Sequence, residues 1–294
     1  MVDSYFQQKS RSMKCYLCGE SNFIQRKGCV RDKPELRVLE CVSCSLVQLD
    51  SFAHIHEGFY ADSGMHGDLI VPINDWLKST EFDDSRRFQM LRPLISNRRL
   101  LDFGCGAGGF LNMAHASAKT LKGIELEKRV QQHWSGRIEV VDDVEHAGTG
   151  WDLVTAFHVI EHLADPITML SKLGSLLSEG GRMIVEVPNS DDALISLYEN
   201  DEFRSFTYWS QHLFLFNAET LRQVVQKAGL RVVAIQQHQR YPLSNHLHWL
   251  SRGAPGGHHA WSFLDSDELT TAYAKALAAC GRCDTLVAYL ERDQ

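Results

Sequence analysis

The chain has 294 residues, 44% of them hydrophobic, with a formal net charge of −7. That length allows one large domain plus a small one, and no apolar run reaches the roughly 18 residues that a membrane helix needs. The first residues lack the apolar core of a secretory signal, so a cytoplasmic chain is expected, and the acidic balance disfavours nonspecific nucleic-acid binding.

In chain order, the first feature is a cysteine pattern. Cys15-x-x-Cys18 and Cys41-x-x-Cys44 sit 22 residues apart, in "CYLCGE" and "CVSCSL". Four thiolates suit tetrahedral zinc, and two such pairs read as the knuckles of a zinc ribbon. A redox dithiol is the competing reading. A segment of about 50 residues has too little core to fold without a staple, which favours metal. Cys29 is expected to be a spare thiol, and Cys280-x-x-Cys283 two ordinary thiols near a helix end.

Alternating strands and helices follow. "RRLLDFG" reads as a buried parallel strand running into four glycines, Gly104, Gly106, Gly108 and Gly109. "GFLNMAHASAK" is expected as a helix, "LKGIEL" as the second strand, "EKRVQQHW" as a helix, "RIEVVDD" as the third strand and "DLVTAFHVIEH" as holding the fourth. Asp165-Pro166 is a helix start, with Asp as N-cap and Pro at the first helical position. Ile167, Leu170, Leu173 and Leu177 would form its apolar face and "SEGG" its end. "RMIVEVPN" is the fifth strand. Asn217 caps a helix that buries Leu221, Val224, Val225 and Ala228 and stops at Gly229; "LRVVAIQQH" and "DTLVAYLER" are strands six and seven. Repeated strand–helix units predict a doubly wound, mostly parallel α/β sheet of seven strands. Ligands in such sheets sit at the carboxyl ends of the strands. The glycines would let the backbone approach a ligand there. Asp102, two residues ahead of Gly104, would repel a pyrophosphate but could anchor a cationic amino group, directly or through water.

"LLDFGCGAGGFL" resembles the first motif of class I S-adenosylmethionine-dependent methyltransferases. "FHVIEHLADP" and "LSEGGRMIVEVPN" resemble later motifs of the ubiquinone-biosynthesis type, over about residues 95–235. The resemblance implies a Rossmann-like fold and S-adenosylmethionine as methyl donor. It implies a donor site of Asp102, Gly104, Cys105, Gly106 and Gly108, with Glu125 on the ribose hydroxyls. Asp142 or Asp143 would recognise adenine, the other being a turn residue, and Leu126, Phe157 and Tyr60 would lie beside the donor. The leader "CxxCG…ECVSCSLVQLD" resembles the zinc-binding leader of sugar-modifying methyltransferases. That implies structural zinc on Cys15, Cys18, Cys41 and Cys44, and a sugar or sugar nucleotide as a small or glycan-linked acceptor. A quinone or phenol is the alternative acceptor; an rRNA methyltransferase and a noncatalytic adaptor are more distant ones.

The organisation expected is a zinc ribbon over residues 1–50, a helical lid or connector over 51–95, and the catalytic domain over 96–294. A polar substrate cap would lie at about 240–282. Tyr60 and His66, in the lid, are candidates to touch donor or acceptor. A base is needed only if the acceptor loses a proton, and histidine titrates near operating pH. His158 and His162 flank the end of the fourth strand; His212 and Tyr208 belong to a loop that faces the acceptor pocket in this fold. The expectation is His212 as base and His162 as a positioning residue, with Glu161 bracing the loop. Methyl donation from a sulfonium needs in-line positioning more than acid–base power.

Overall fold

The structure, a computed structural model, describes residues 13–56, 58–60 and 70–293. Near the N-terminus, β1 (Phe23–Gln25), β2 (Val38–Cys41) and β3 (Val47–Leu49) form an antiparallel sheet. A long helix, α1 (Ile73–Ile95), leads into the large domain. There β4 (Arg99–Phe103), α2 (Gly109–Ala114), β5 (Thr120–Ile124), α3 (Lys128–Trp134), β6 (Glu139–Val141), β7 (Trp151–Phe157), α4 (Pro166–Ser175) and β8 (Leu177–Pro188) alternate. Two short helices, α5 (Ala193–Ser196) and α6 (Asp201–Thr207), precede the two-residue strand β9 (Phe214–Leu215). Then come α7 (Ala218–Lys227), β10 (Leu230–His238), helices α8 (Leu243–Arg252), α9 (Gly257–Ala260) and α10 (Asp267–Ala279), and finally β11 (Thr285–Arg292).

Seven strands make one sheet in the order β10-β11-β8-β7-β4-β5-β6. The pairs from β8 to β6 are parallel, and β11 runs antiparallel between β8 and β10. This is the doubly wound, mostly parallel seven-stranded sheet expected. Its reversal of strand order falls between β4 and β7, so the loops after those strands meet over a crevice. The apolar runs explain the burial: Leu100, Leu101, Val154, Ala156, Ile184 and Val185 are inaccessible from both faces. Asp165 caps α4 by accepting from Thr168 N, and Asn217 and Thr220 close a capping box on α7. The cap region between β10 and β11 is helical.

Two elements differ from expectation. The helix after the glycines is only six residues, Gly109–Ala114. "SEGG" lies inside β8 rather than ending α4, which stops at Ser175. Gly180 takes φ +69°, and the β7–β8 register shifts there between Trp151 and Leu153, so the glycines bulge a strand.

The small sheet is not self-contained. Its fourth strand is β9, which pairs antiparallel with β3 through Val47↔Leu215 and Gln48↔Phe214. Leu17, Val38, Leu46 and Val47 share one apolar core with Phe214, Phe216, Val187 and Val225 of the large domain. Polar ties reinforce the junction. Asp32 accepts from Ser210 N and Ser210 Oγ, Tyr16 Oη donates to Asp165, and His54 Nε2 lies 2.6 Å from Ser210 O.

Candidate active site

A cleft of about 520 Å³ opens at the carboxyl ends of β4, β5, β6 and β7, within the usual range for a small-molecule site. The loop after β4 is its floor. Gly104 and Gly108 have φ of +68° and +82°. A Cβ on Gly104 would stand 2.4 Å from Val159 Cγ2, and one on Gly108 2.4 Å from Trp134 Nε1. Both positions therefore require glycine for conformation and for space. Gly106 N donates to Glu125 Oε2 (3.0 Å) and Glu127 N to Glu125 Oε1 (3.1 Å), which locks the carboxylate at the end of β5.

The end of the cleft at the glycine loop is acidic. Asp102 is buried, accepts from Thr155 Oγ1 at 2.6 Å, and is pushed up to about 7 by burial. Burial also raises Glu125 and Asp84. Asp84, on α1, accepts from Thr80 Oγ1 at 2.8 Å and occupies the space over Gly109. Carboxyls that burial drives toward their neutral forms gain from a cationic ligand that restores their charge. Asp143 caps the turn after β6 by accepting from Glu145 N (2.8 Å), while Asp142 meets His146 Nδ1 (3.0 Å).

The opposite end is a network of ions and rings. Glu186 of β8, wholly buried, accepts from Arg86 and Arg87 of α1 and is held well below the usual carboxylate range; burial opposes this, and His158 and the arginines outweigh it. Arg240, after β10, is ion-paired with Asp83 of α1. His158 stands among these groups. Tyr60 Oη donates to His162 O, and His162 Nδ1 faces Gln211 O at 2.8 Å. The rings of Tyr60, Trp209 and His212 surround that of His162 at 6.3, 5.9 and 5.0 Å. Glu161, His162 and His212 bring a carboxylate oxygen and two ring nitrogens within 4.8 Å of one another.

Of the residues singled out from the sequence, Tyr60, Asp102, Gly104, Cys105, Gly106, Glu125, Leu126, Asp142, Asp143, Phe157, His158 and His162 line this cleft. Gly108 supports it from below. His212 and Tyr208 do not line it; they border a small cavity facing β2 and β3, together with Val38, Val47, Gln48 and Leu49. Tyr208 is buried there, its ring 3.1 Å from where a Cβ on Gly28 would be. Burial, with His162 beside it, pushes His212 down to about 3. His66 lies outside the described residues. The sequence reading missed Asp84, Arg87, Arg240 and Glu186; "EFDDSRRF" carries the signal, because Asp84 and Arg87 are buried on an otherwise polar helix.

The four leader cysteines converge. Cys15 and Cys44 sulfurs are 3.5 Å apart, as are those of Cys18 and Cys41, and all four lie within 4.8 Å of one another. None of the four is in a disulfide. Zinc with sulfur at about 2.3 Å sets tetrahedral sulfurs about 3.8 Å apart, so the donor set fits zinc. The two knuckles match: Gly19 N donates to Cys15 O and Ser45 N to Cys41 O, with Gly19 at φ +78° and Ser45 at +63°.

Sheet order, glycine loop and acidic cleft together define a class I S-adenosylmethionine-dependent methyltransferase. The family profile described as a methyltransferase domain matches residues 80–235, just over half of the chain, and the protein belongs to that family. It is 32% identical over 113 residues to a ubiquinone biosynthesis O-methyltransferase of Marinobacter nauticus, covering 33% of this chain and 47% of that one. It is 24% identical over 208 residues to a tRNA U34 carboxymethyltransferase of Idiomarina loihiensis, covering 60% and 63%. The chain thus spans about half to two thirds of the length of these curated relatives. Its fold also matches a chain of the Haloferax volcanii complex between the Trm112 methyltransferase activator and a methyltransferase. There the TM-score is 0.50 at 14% identity, covering 77% of this chain and 100% of that one. Among the described residues, no helix is long and apolar enough to cross a membrane.

Proposed function

We propose that this methyltransferase modifies a hydroxyl or carbon of a polar small-molecule acceptor, most simply a sugar or sugar nucleotide. The observation that carries this is the end of the cleft beyond the glycine loop, where Asp83 pairs with Arg240, Arg240 reaches His158, and the Tyr60 ring packs edge-on against that of His162. Charged hydrogen-bonding groups next to aromatic faces suit a polyhydroxylated ring. A phenolic acceptor is the second reading, favoured by the likeness to the ubiquinone biosynthesis O-methyltransferase. S-adenosylmethionine, when bound, supplies a methyl group made electrophilic by its sulfonium. Asp102 and Asp84 would hold its positive end, Glu125 its ribose hydroxyls, and Asp142 its adenine; α1 would close over it as a lid. Cys15, Cys18, Cys41 and Cys44 would hold one structural zinc. The test incubates enzyme and donor with sugar-nucleotide and phenol panels and reads a mass gain of one CH₂. Methylation confined to phenols would replace the sugar reading. Absence of donor binding by calorimetry would remove both.

A further inference from the structure

His158 holds a constrained position in the cleft. It follows β7 directly, and its φ of +53° is in the left-handed region, uncommon for any residue with a Cβ even though His, Asn and Asp enter it more than most. Such strain persists where the surroundings impose it and clusters at functional sites. Here the His158 N–H is anchored to Glu186 O at 2.8 Å. The side chain is 22% exposed and lines the cleft.

Its two ring nitrogens meet different partners. Nδ1 lies 3.2 Å from Glu161 Oε1, and Glu161 is inaccessible to solvent. Nε2 lies 3.5 Å from Arg240 Nη1 and 3.3 Å from Glu186 Oε1. A guanidinium can only donate, so contact with Arg240 requires a lone pair on Nε2. Glu186 Oε1 already accepts one N–H from Arg86 and two from Arg87, so its charge is matched. Among the described residues Glu161 pairs with no arginine, and its Oε2 finds no hydrogen-bond partner. The tautomer that satisfies both sides has Nδ1–H donated to Glu161 and the Nε2 lone pair turned to the cleft and to Arg240, whose N–H, 3.5 Å away, an acceptor hydroxyl would displace. Charged and titratable groups face this ring from every side. They are Glu161 and His162 on its own loop, Glu186 on β8, Arg86, Arg87 and Asp83 on α1, Arg240 after β10, and His212 beyond His162.

We propose that His158 is the catalytic base and Glu161 its positioning residue, resting on the hydroxyl branch of the reading above. As the acceptor oxygen bonds to the methyl carbon, the carbon–sulfur bond breaks and its electron pair stays on sulfur. The hydroxyl proton passes to His158 Nε2. Glu161 stabilises the resulting imidazolium through Nδ1–H, and the proton later leaves to solvent through the cleft. The other histidines suit the role less. His212 does not line the cleft, and His162 is held below its ordinary value by burial. Burial opposes a charged His158 too, but the imidazolium can donate from both ring nitrogens, to Glu161 and to Glu186, and this raises it overall, which makes it the strongest base of the three.

Two measurements test the assignment. Imidazole nitrogen NMR on the full chain, assigned with His158→Asn, reads tautomer and titration without any acceptor. Asn tolerates the left-handed backbone, so the fold is kept. The expected result is an Nδ1–H tautomer whose titration falls by about one pH unit or more in Glu161→Gln. An Nε2–H tautomer, or an unchanged titration in Glu161→Gln, overturns the dyad. The second measurement is turnover on the panel member that gains CH₂. His158→Asn should lower kcat by roughly 10²–10⁴ with donor affinity kept within about twofold, and Glu161→Gln should move the acid limb of kcat/KM to lower pH. Turnover of His158→Asn within a few-fold of wild type, or a larger loss in His212→Ala, overturns the assignment. A panel with no methylated member overturns the acceptor reading instead, and the NMR result then decides the dyad alone.

Discussion

Asp102→Asn should move stability and ligand affinity in opposite directions. Asp102 titrates at about 7 against an ordinary 3.8, because burial penalises its charge. Between those values the unfolded chain is ionised there and the folded chain is not, so folding weakens as pH rises from about 4 to about 7. A gap of about 3 units at 1.36 kcal/mol each is about 4 kcal/mol. Asn has the same shape, carries no charge and can still accept from Thr155 Oγ1. The variant should therefore match wild type near pH 4 and exceed it by up to about 4 kcal/mol near pH 8, read by urea unfolding at both values. The donor's cation should meanwhile lose its charged partner, weakening binding roughly 10- to 150-fold by calorimetry near pH 8. Equal stability of the two proteins near pH 8, or unchanged donor affinity, would refute the reasoning.

Gly108→Ala should destabilise by about 1–3 kcal/mol, since the new methyl meets the Trp134 ring at a positive φ; thermal unfolding checks it, and an unchanged midpoint would count against the tight loop. Glu125→Ala should weaken donor binding about tenfold or more and free the Gly106 and Glu127 amides to exchange, both readable by calorimetry and hydrogen exchange. If the four thiols hold zinc, elemental analysis should give about one per chain in wild type and none in Cys41→Ser, which through β3 should also raise hydrogen exchange at Phe214 and Leu215 on β9. Retained metal in that variant would move the site elsewhere.

The floor of the cleft was legible because its geometry forces residue types. Positive φ and close approach demand glycine at 104 and 108, and the end of β5 holds a carboxylate at Glu125. The strands of the large sheet were legible because each is an unbroken apolar run. Three things were not. β9 is two residues long, too short to show a period, and only its partner β3 makes it a strand. Asp84 and Arg87 come from a helix whose polar face looks solvated until α2 and β8 are packed against it. The distinction between His158 and His212 depends on which way a loop turns: the sequence puts both near the acceptor, but Tyr208 packs on Gly28 and draws His212 toward the leader.

The pairing of β3 with β9 also sets a timetable for synthesis. The leader leaves the ribosome first, yet its outer edge waits for a strand encoded roughly 165 residues later. At about 5–20 residues per second, that is on the order of 8–30 s with Val47–Leu49 unpaired. An open strand edge invites pairing with other chains. A metal bound early at the four thiols would hold β2 and β3 in register through that interval. If the four thiols hold zinc, a nascent chain made without it keeps that edge open to aggregation until its catalytic domain is complete.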